Sequence, residues 1–175
     1  MTFAQPCLRW ADRLDNGIRF IGRSLSWVYA LLVAVIILQV ILRYGFGHGL
    51  VALEELEWHL YAIGVMFGVA YSQVLDSHVR VDLFHTRLRR RTQLWVDILG
   101  TVFLLMPFLI IVFLNSLDFV YDAWRIGETS DAPSGLPYRW AIKAVIPLSF
   151  GLLFIASVSR ILRSAGELMT KGGAA

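Results

Sequence analysis

The chain alternates between long stretches without charge and short stretches crowded with it. Residues 24–42 form a run of 19 positions without Asp, Glu, Lys or Arg, residues 58–75 a run of 18, residues 98–117 a run of 20 and residues 144–159 a run of 16. A helix that crosses the hydrocarbon core of a bilayer needs about 20 mostly apolar residues. The first three runs meet that length directly. The fourth meets it once Lys143 and Arg160 lay their apolar stems along the ends and carry their charges to the two interfaces. The pattern therefore predicts four transmembrane helices, over 24–43, 56–75, 94–117 and 140–162. Apolar residues follow one another without the alternation of barrel strands, and a helix satisfies its own backbone groups inside lipid. The expected fold class is an all-α integral membrane protein.

Ahead of the first span, Trp10, Leu14, Ile18 and Ile21 recur at helical spacing, with Arg9, Asp12, Arg13, Asp15 and Arg19 at other positions. That is the pattern of an amphipathic helix lying in the membrane interface. Its charge, the length of the apolar run behind it and the lack of a small-residue cleavage site separate it from a signal peptide. The expected organisation is a cytoplasmic amphipathic arm over 1–23, a four-helix membrane domain over 24–163 and a short cytoplasmic tail over 164–175.

Composition agrees with a bilayer location. Of the 175 residues, 57% are hydrophobic and 17% charged, against about 25% charged in an average soluble domain. The aromatic share of 13% excludes a disordered chain. The distribution of Lys and Arg then gives direction. The arm carries Arg9, Arg13, Arg19 and Arg23; the second connection carries Arg80, Arg87, Arg89, Arg90 and Arg91; the tail carries Arg160, Arg163 and Lys171. The other two connections hold only Arg43, Arg125, Arg139 and Lys143. The positive-inside rule puts both termini and the second connection in the cytoplasm. The net charge of +3 is thereby explained without nucleic acid, and the Arg87–Arg91 patch faces anionic lipid. Tyr44, Trp58, Tyr61, Tyr121, Trp124, Tyr138 and Trp140 fall at the outer ends, and Trp27 and Trp95 at the inner ends, as an interfacial belt does.

Candidate chemistry is sparse. His48, His59, His78 and His85 lie towards helix ends, which disfavours haem held at mid-depth. Glu55 and His59 share a helix face, but two ligands do not make a zinc site. Cys7 is a lone thiol, and no phosphate loop or nucleophile motif is present. Neither an enzyme nor a bound cofactor or metal is expected. Of the intramembrane polar residues, Asp97 is expected to form a salt bridge with Arg23, Arg160 or Arg163, and Gln39 and Arg43 to bond the acidic start of the second helix. No continuous polar path crosses the bilayer.

On the second helix, Glu54, Glu57, Tyr61, Gly64, Gly68 and Ser72 fall within about 80° of one another. Tyr61, Gly64, Gly68 and Ser72 form a candidate packing face, for use inside the bundle or against another membrane subunit, because small residues let helices approach closely in lipid. Gly22, Ser26, Ala30 and Ala34 form a matching stripe on the first helix. Pro107 and Pro147 are expected to kink the third and fourth helices. Glu54, Glu55 and Glu57, with Asp122, Glu128 and Asp131 of an outer connection expected over 118–139, make an acidic rim. It is either a solvated surface or a docking rim for an external protein.

The segment His78-Val79-Arg80-Val81-Asp82, after a helix that starts Glu54, Glu55, Glu57, Trp58, resembles the small membrane subunit (DctQ-type small permease) of tripartite ATP-independent periplasmic, or TRAP, transporters. Glu128-Thr129-Ser130, Pro137, Trp140 and Pro147 are similar too, and the resemblance runs from about residue 20 to 163. In itself the His78–Asp82 segment reads as a structural turn, with Asp82 a plausible N-cap for a short helix to Arg91. What the resemblance implies is an accessory subunit in a bacterial inner membrane. A periplasmic binding protein would capture a small organic anion, such as a carboxylate. A large membrane subunit would hold the substrate and sodium. The competing readings are a membrane anchor of a redox complex, a small autonomous carrier or channel, and a membrane enzyme.

Overall fold

The computed structural model describes residues 4–75 and 89–171. All regular structure among them is helical: α1 (Ala4–Leu25), α2 (Trp27–Gly45), α3 (Val51–Val74), α4 (Arg90–Gly100), a π-helical turn (Thr101–Leu105), α5 (Met106–Arg125), α6 (Arg139–Lys143) and α7 (Val145–Lys171). Three stretches are long and apolar enough to cross a membrane: Gln5–Gly45, Arg90–Arg125 and Arg139–Met169. The second expected span falls in α3, which is long enough at 24 residues. Glu54, Glu55, Glu57, His59 and Gln73 make it less apolar than the other three stretches.

α1 and α2 are nearly continuous. Ser26, between them, keeps helical dihedral angles, and its N–H and hydroxyl both donate to the Gly22 carbonyl at 3.0 Å. The chain turns after α2 through Gly47, whose φ of +72° suits a residue without a Cβ. Gln39 closes this turn from the side: it accepts from the Leu50 N–H at 3.4 Å and donates to the Leu50 carbonyl at 3.2 Å. α3 then runs back beside α2 and α1. Glu54 meets Arg43 near the turn, Gly64 meets Tyr29 halfway, and Tyr71 meets Gly22 at the far end.

A second antiparallel pair joins the α4–α5 stretch to α7. Lys143 lies 3.9 Å from the centre of the Phe119 ring, Phe108 meets Phe150 edge-on at 6.2 Å, and Arg90 pairs with Glu167 at 2.8 Å. Two small apolar cores hold the assembly. One is Leu32, Val35 and Leu60 between α2 and α3; the other is Ala70, Leu109 and Leu153, where α3, α5 and α7 meet.

Several sequence expectations are corrected here. The N-terminal helix extends over Ala4–Leu25 and packs on α7 and α3. Its buried positions are Ala11, Asp15, Ile18 and Gly22, so that of the expected apolar stripe Ile18 is buried while Trp10 and Ile21 are exposed. Ala11 and Gly22 permit a close approach that large side chains there would block. Pro107 does not simply kink a helix. It lacks an N–H, and its ring crowds the Phe103 carbonyl. The turn just before it widens, so that Met106 donates to Thr101 five residues back. Pro147 likewise coincides with the break at Ala144 between α6 and α7. Finally, α5 continues to Arg125, which places Asp118 and Asp122 on a helix and shortens the outer connection to 126–138.

α1 is fastened to α7 by polar contacts. The Ser159 hydroxyl is shared between the Ala11 carbonyl at 3.1 Å and the Asp15 carboxylate at 2.5 Å. Arg163 donates to Asp15 at 2.7 Å and to Asp12 at 2.8 Å. The Asp15 side chain is only 9% exposed and that of Asp12 61%. Asp15→Ala should therefore lower the unfolding temperature of the purified chain in detergent through a loss of about 1–3 kcal/mol. Asp12→Ala should cost no more than about 0.5 kcal/mol. Equal melting of the two variants would rule out Asp15 as the fastening group.

Candidate functional site

The acidic rim is built by the start of α3, the 126–138 connection and the start of α6. Glu55 accepts hydrogen bonds from the Ser130 hydroxyl and from the Leu136 N–H, the latter at 2.6 Å. Ser130 in turn accepts from the Ala132 N–H at 3.2 Å. The Ser130 hydroxyl, followed by the Leu136 N–H, holds the Glu55 carboxyl below the usual glutamate range. Glu55 lies just ahead of the apolar stretch 56–75, so this stitch ties the outer connection to the helix end. Glu128 binds Lys143 and stands 3.7 Å from Arg139, whose backbone N–H donates to the Glu128 carbonyl at 3.0 Å. Gly127 and Tyr138 bracket the connection with positive φ angles of 62° each.

The remaining rim residues differ from these. Glu54 receives Gln39 and Arg43, each at 3.3 Å. Asp131 meets Arg139 at 3.3 Å with its side chain almost wholly in solvent, and Asp122 meets Arg125 at 3.7 Å, also exposed. Such exposed pairs contribute little to stability. Glu57 is the exception, because its Oε1 is buried without a hydrogen-bond partner. The rim is therefore not one uniform acidic surface. Glu55 and Glu128 organise the loop, Asp122 and Asp131 face outward, and Glu57 is set apart.

The candidate packing face on α3 is used inside the chain at its centre. A Cβ on Gly64 would stand 2.6 Å from Cζ of Tyr29, so the tyrosine ring lies in the notch that this glycine leaves. Gly68 is looser, with the Tyr29 hydroxyl oxygen 4.0 Å from where its Cβ would be. Gly22 of α1 receives Tyr71 of α3 in the reciprocal way. Tyr61 remains about half exposed towards the outer end, and Ser72 is partly buried near the inner end. The stripes of small residues were legible in sequence; the tyrosines that fill them were not, because a tyrosine at a helix end also reads as an interfacial anchor.

At the end of the bundle opposite the acidic rim, α1, α3, α4 and α7 converge on a polar cleft of about 120 Å³. Asp97 faces Arg160 at 3.4 Å, Arg90 faces Glu167 at 2.8 Å, and Arg163 faces Asp15. Gln73 and Ser164 complete the lining. Among the described residues the lining sets three arginines against three carboxylates. Of the partners expected for Asp97, Arg160 is thus at hand, Arg163 is turned to α1, and Arg23 lies exposed on α1. His78, Arg80 and Asp82 lie outside the described residues. Among the described residues, no group of three or more His, Cys, Asp or Glu is gathered as for a metal ion.

The chain matches the family described as "Tripartite ATP-independent periplasmic transporters, DctQ component" over residues 32–167, from the middle of α2 to the last turns of α7. No curated protein and no solved structure matches it.

The tyrosine-in-notch contact generates a direct expectation. Gly64→Leu should destabilise the chain by about 1–3 kcal/mol, the scale of overpacking. Removing the obstructing ring in Gly64→Leu/Tyr29→Ala should restore part of the loss. A double variant that melts no higher than Gly64→Leu would separate these two residues.

Proposed function

The chain belongs to the DctQ family of TRAP transporter components, which is a transporter family and not an enzyme family, and from that premise we propose that it is the accessory small permease subunit of a sodium-coupled importer of a small organic anion, a carboxylate. A large membrane subunit carries the substrate and sodium, and a periplasmic binding protein delivers the anion. The family match does not favour a redox-complex anchor or an autonomous carrier.

The observation that carries this reading is the direction in which polar side chains point. Thr101 donates to the Asp97 carbonyl, Asn115 to Ile111, Ser116 to Phe113, Ser149 to Ile146 and Ser157 to Leu153. Each is turned back onto its own helix, three or four residues upstream. A solute path needs polar groups aimed into a shared opening. Outward, α2 presents Ile37 and Ile41, and α5 presents Ile111 and Leu114, all about half exposed. Those apolar surfaces suit lipid and a neighbouring membrane subunit.

Four spans with both termini in the cytoplasm complete the proposal, for a multi-pass protein of a bacterial inner membrane. The arm is 1–23, the membrane domain 24–163 and the tail 164–175. α3 runs beside α2 from the Arg43–Glu54 contact to the Gly22–Tyr71 contact, so it covers the same depth as its more apolar neighbour. Its less apolar side is turned inward, with Gly64 and Gln73 buried. The concentration of Lys and Arg in the arm, the second connection and the tail supports the orientation.

Two measurements test this. In proteoliposomes, the chain alone should move no carboxylate. Uptake should appear with the large subunit and binding protein and should depend on a sodium gradient. Uptake by the chain alone would overturn the accessory role. For orientation, Cys7 is the natural probe. A membrane-impermeant maleimide should label it in inverted vesicles and not in right-side-out ones, whereas Ala132→Cys in a Cys7→Ser background should show the reverse. Labelling of Cys7 from outside would invert the topology.

A further inference from the structure

Glu57 lines a groove between α2 and α3, one turn further along α3 than Glu54; the groove is about 390 Å³ in volume and open to the surroundings of the bundle. Its floor and walls mix two kinds of residue. Ile36, Val40, Tyr44 and Trp58 supply apolar surface, and Trp58 and Tyr44 are 73% and 82% exposed. Gln39, Arg43 and Glu54 supply polar groups, but these three are bonded to one another. Arg43 answers the charge of Glu54. Glu57 brings a second negative charge to the groove, and its Oε1 is buried without a hydrogen-bond partner. A carboxylate at the edge of the hydrocarbon region with an unsatisfied oxygen is costly unless a positive group meets it. Exposed aromatic and aliphatic residues around a desolvated polar centre are also the anatomy of an interface hot spot.

We propose that this groove receives a Lys or Arg side chain from a transmembrane helix of the large subunit, with Glu57 as its counter-ion and Trp58 and Val40 packing around the stem. The inference rests on the functional reading above and adds a specific contact to it. Charge complementarity selects the occupant: after Arg43 is matched to Glu54, one uncompensated carboxylate remains, and a basic stem offers both the charge and the apolar length to lie along the groove. The same face of α3 is closed further down by Tyr29 in the Gly64 notch, which leaves its outer end for a visitor.

The test uses the co-expressed, detergent-solubilised complex. Glu57→Gln should reduce the large subunit retained by the chain roughly tenfold or more, the scale for removing one partner of a desolvated charge pair. Glu54→Gln, whose partners lie within the chain, should change retention little. In a second arm that keeps Glu57, Trp58→p-benzoylphenylalanine should photo-cross-link to a peptide of the large subunit that contains a Lys or Arg within an apolar helix. Undiminished retention in Glu57→Gln would overturn the inference. So would cross-linking confined to lipid, or to a large-subunit peptide without a basic residue, while the complex itself remains intact. If the wild-type chain captures no large subunit at all, the functional reading fails first and takes this contact with it.

Discussion

The Asp15 carboxylate, held between the Ser159 hydroxyl and the Arg163 guanidinium, is a buried charged contact that ties one half of the molecule to the other. α1 runs on into α2, and α2 pairs with α3. α7 pairs with the α4–α5 stretch. The fastening of α1 to α7, together with the Ala70–Leu109–Leu153 core where α3, α5 and α7 meet, sets one hairpin against the other. Within lipid no hydrophobic force distinguishes a neighbouring helix from a neighbouring acyl chain. Charge-assisted hydrogen bonds and close small-residue contacts must supply the selectivity instead. Asp15 has that role because its partners offset the removal of its charge from water.

Polar groups are sorted by depth. At the outer end, Glu55 and Glu128 fix the 126–138 connection onto α3 and α6. At the inner end, Arg90, Arg160 and Arg163 are matched to carboxylates on other helices. Between them, the two cores of leucine, valine and alanine carry the packing, and hydroxyl groups bond back along their own helices. Such a molecule is rigidly tied at its two rims and apolar across its middle.

Much of this was legible in the sequence. The charge-free runs are helical except at Ser26, Leu75 and Ala144, and Gln39 and Arg43 bond the start of the second helix as their placement suggests. Three alternatives for Asp97 reduce to Arg160, because Arg163 is drawn to α1. The buried face of α1 was legible only in part. Hydropathy favours Trp10, Leu14, Ile18 and Ile21, and of these Ile18 is buried, but the crossing also uses Ala11 and Asp15, which hydropathy does not single out. The Glu55–Ser130 stitch was hidden as well, since 75 residues separate its partners. The reach of α5 to Arg125 was missed because charges at 118 and 122 read as the end of a span. A helix leaving the hydrocarbon region can continue with charged residues in water.

The π-helical turn at Thr101–Leu105 has a consequence for how this sequence tolerates change in length. A π turn holds one residue more than the α-helical turn that it replaces. One deletion there would return the stretch to regular helix, with little local strain and an unchanged hydropathy profile. Each residue of an α-helix also advances the face by about 100°. Because the wide turn and the regular turn that replaces it complete the same circle, this deletion would leave Asp97 and Arg90 facing α7, whereas a deletion within α4 or α5 would swing one end of the rod away from α7. The turn is thus the place where the rod can lose one residue and keep the phase between its two ends, while length changes elsewhere in it are constrained by the angular register of distant charges.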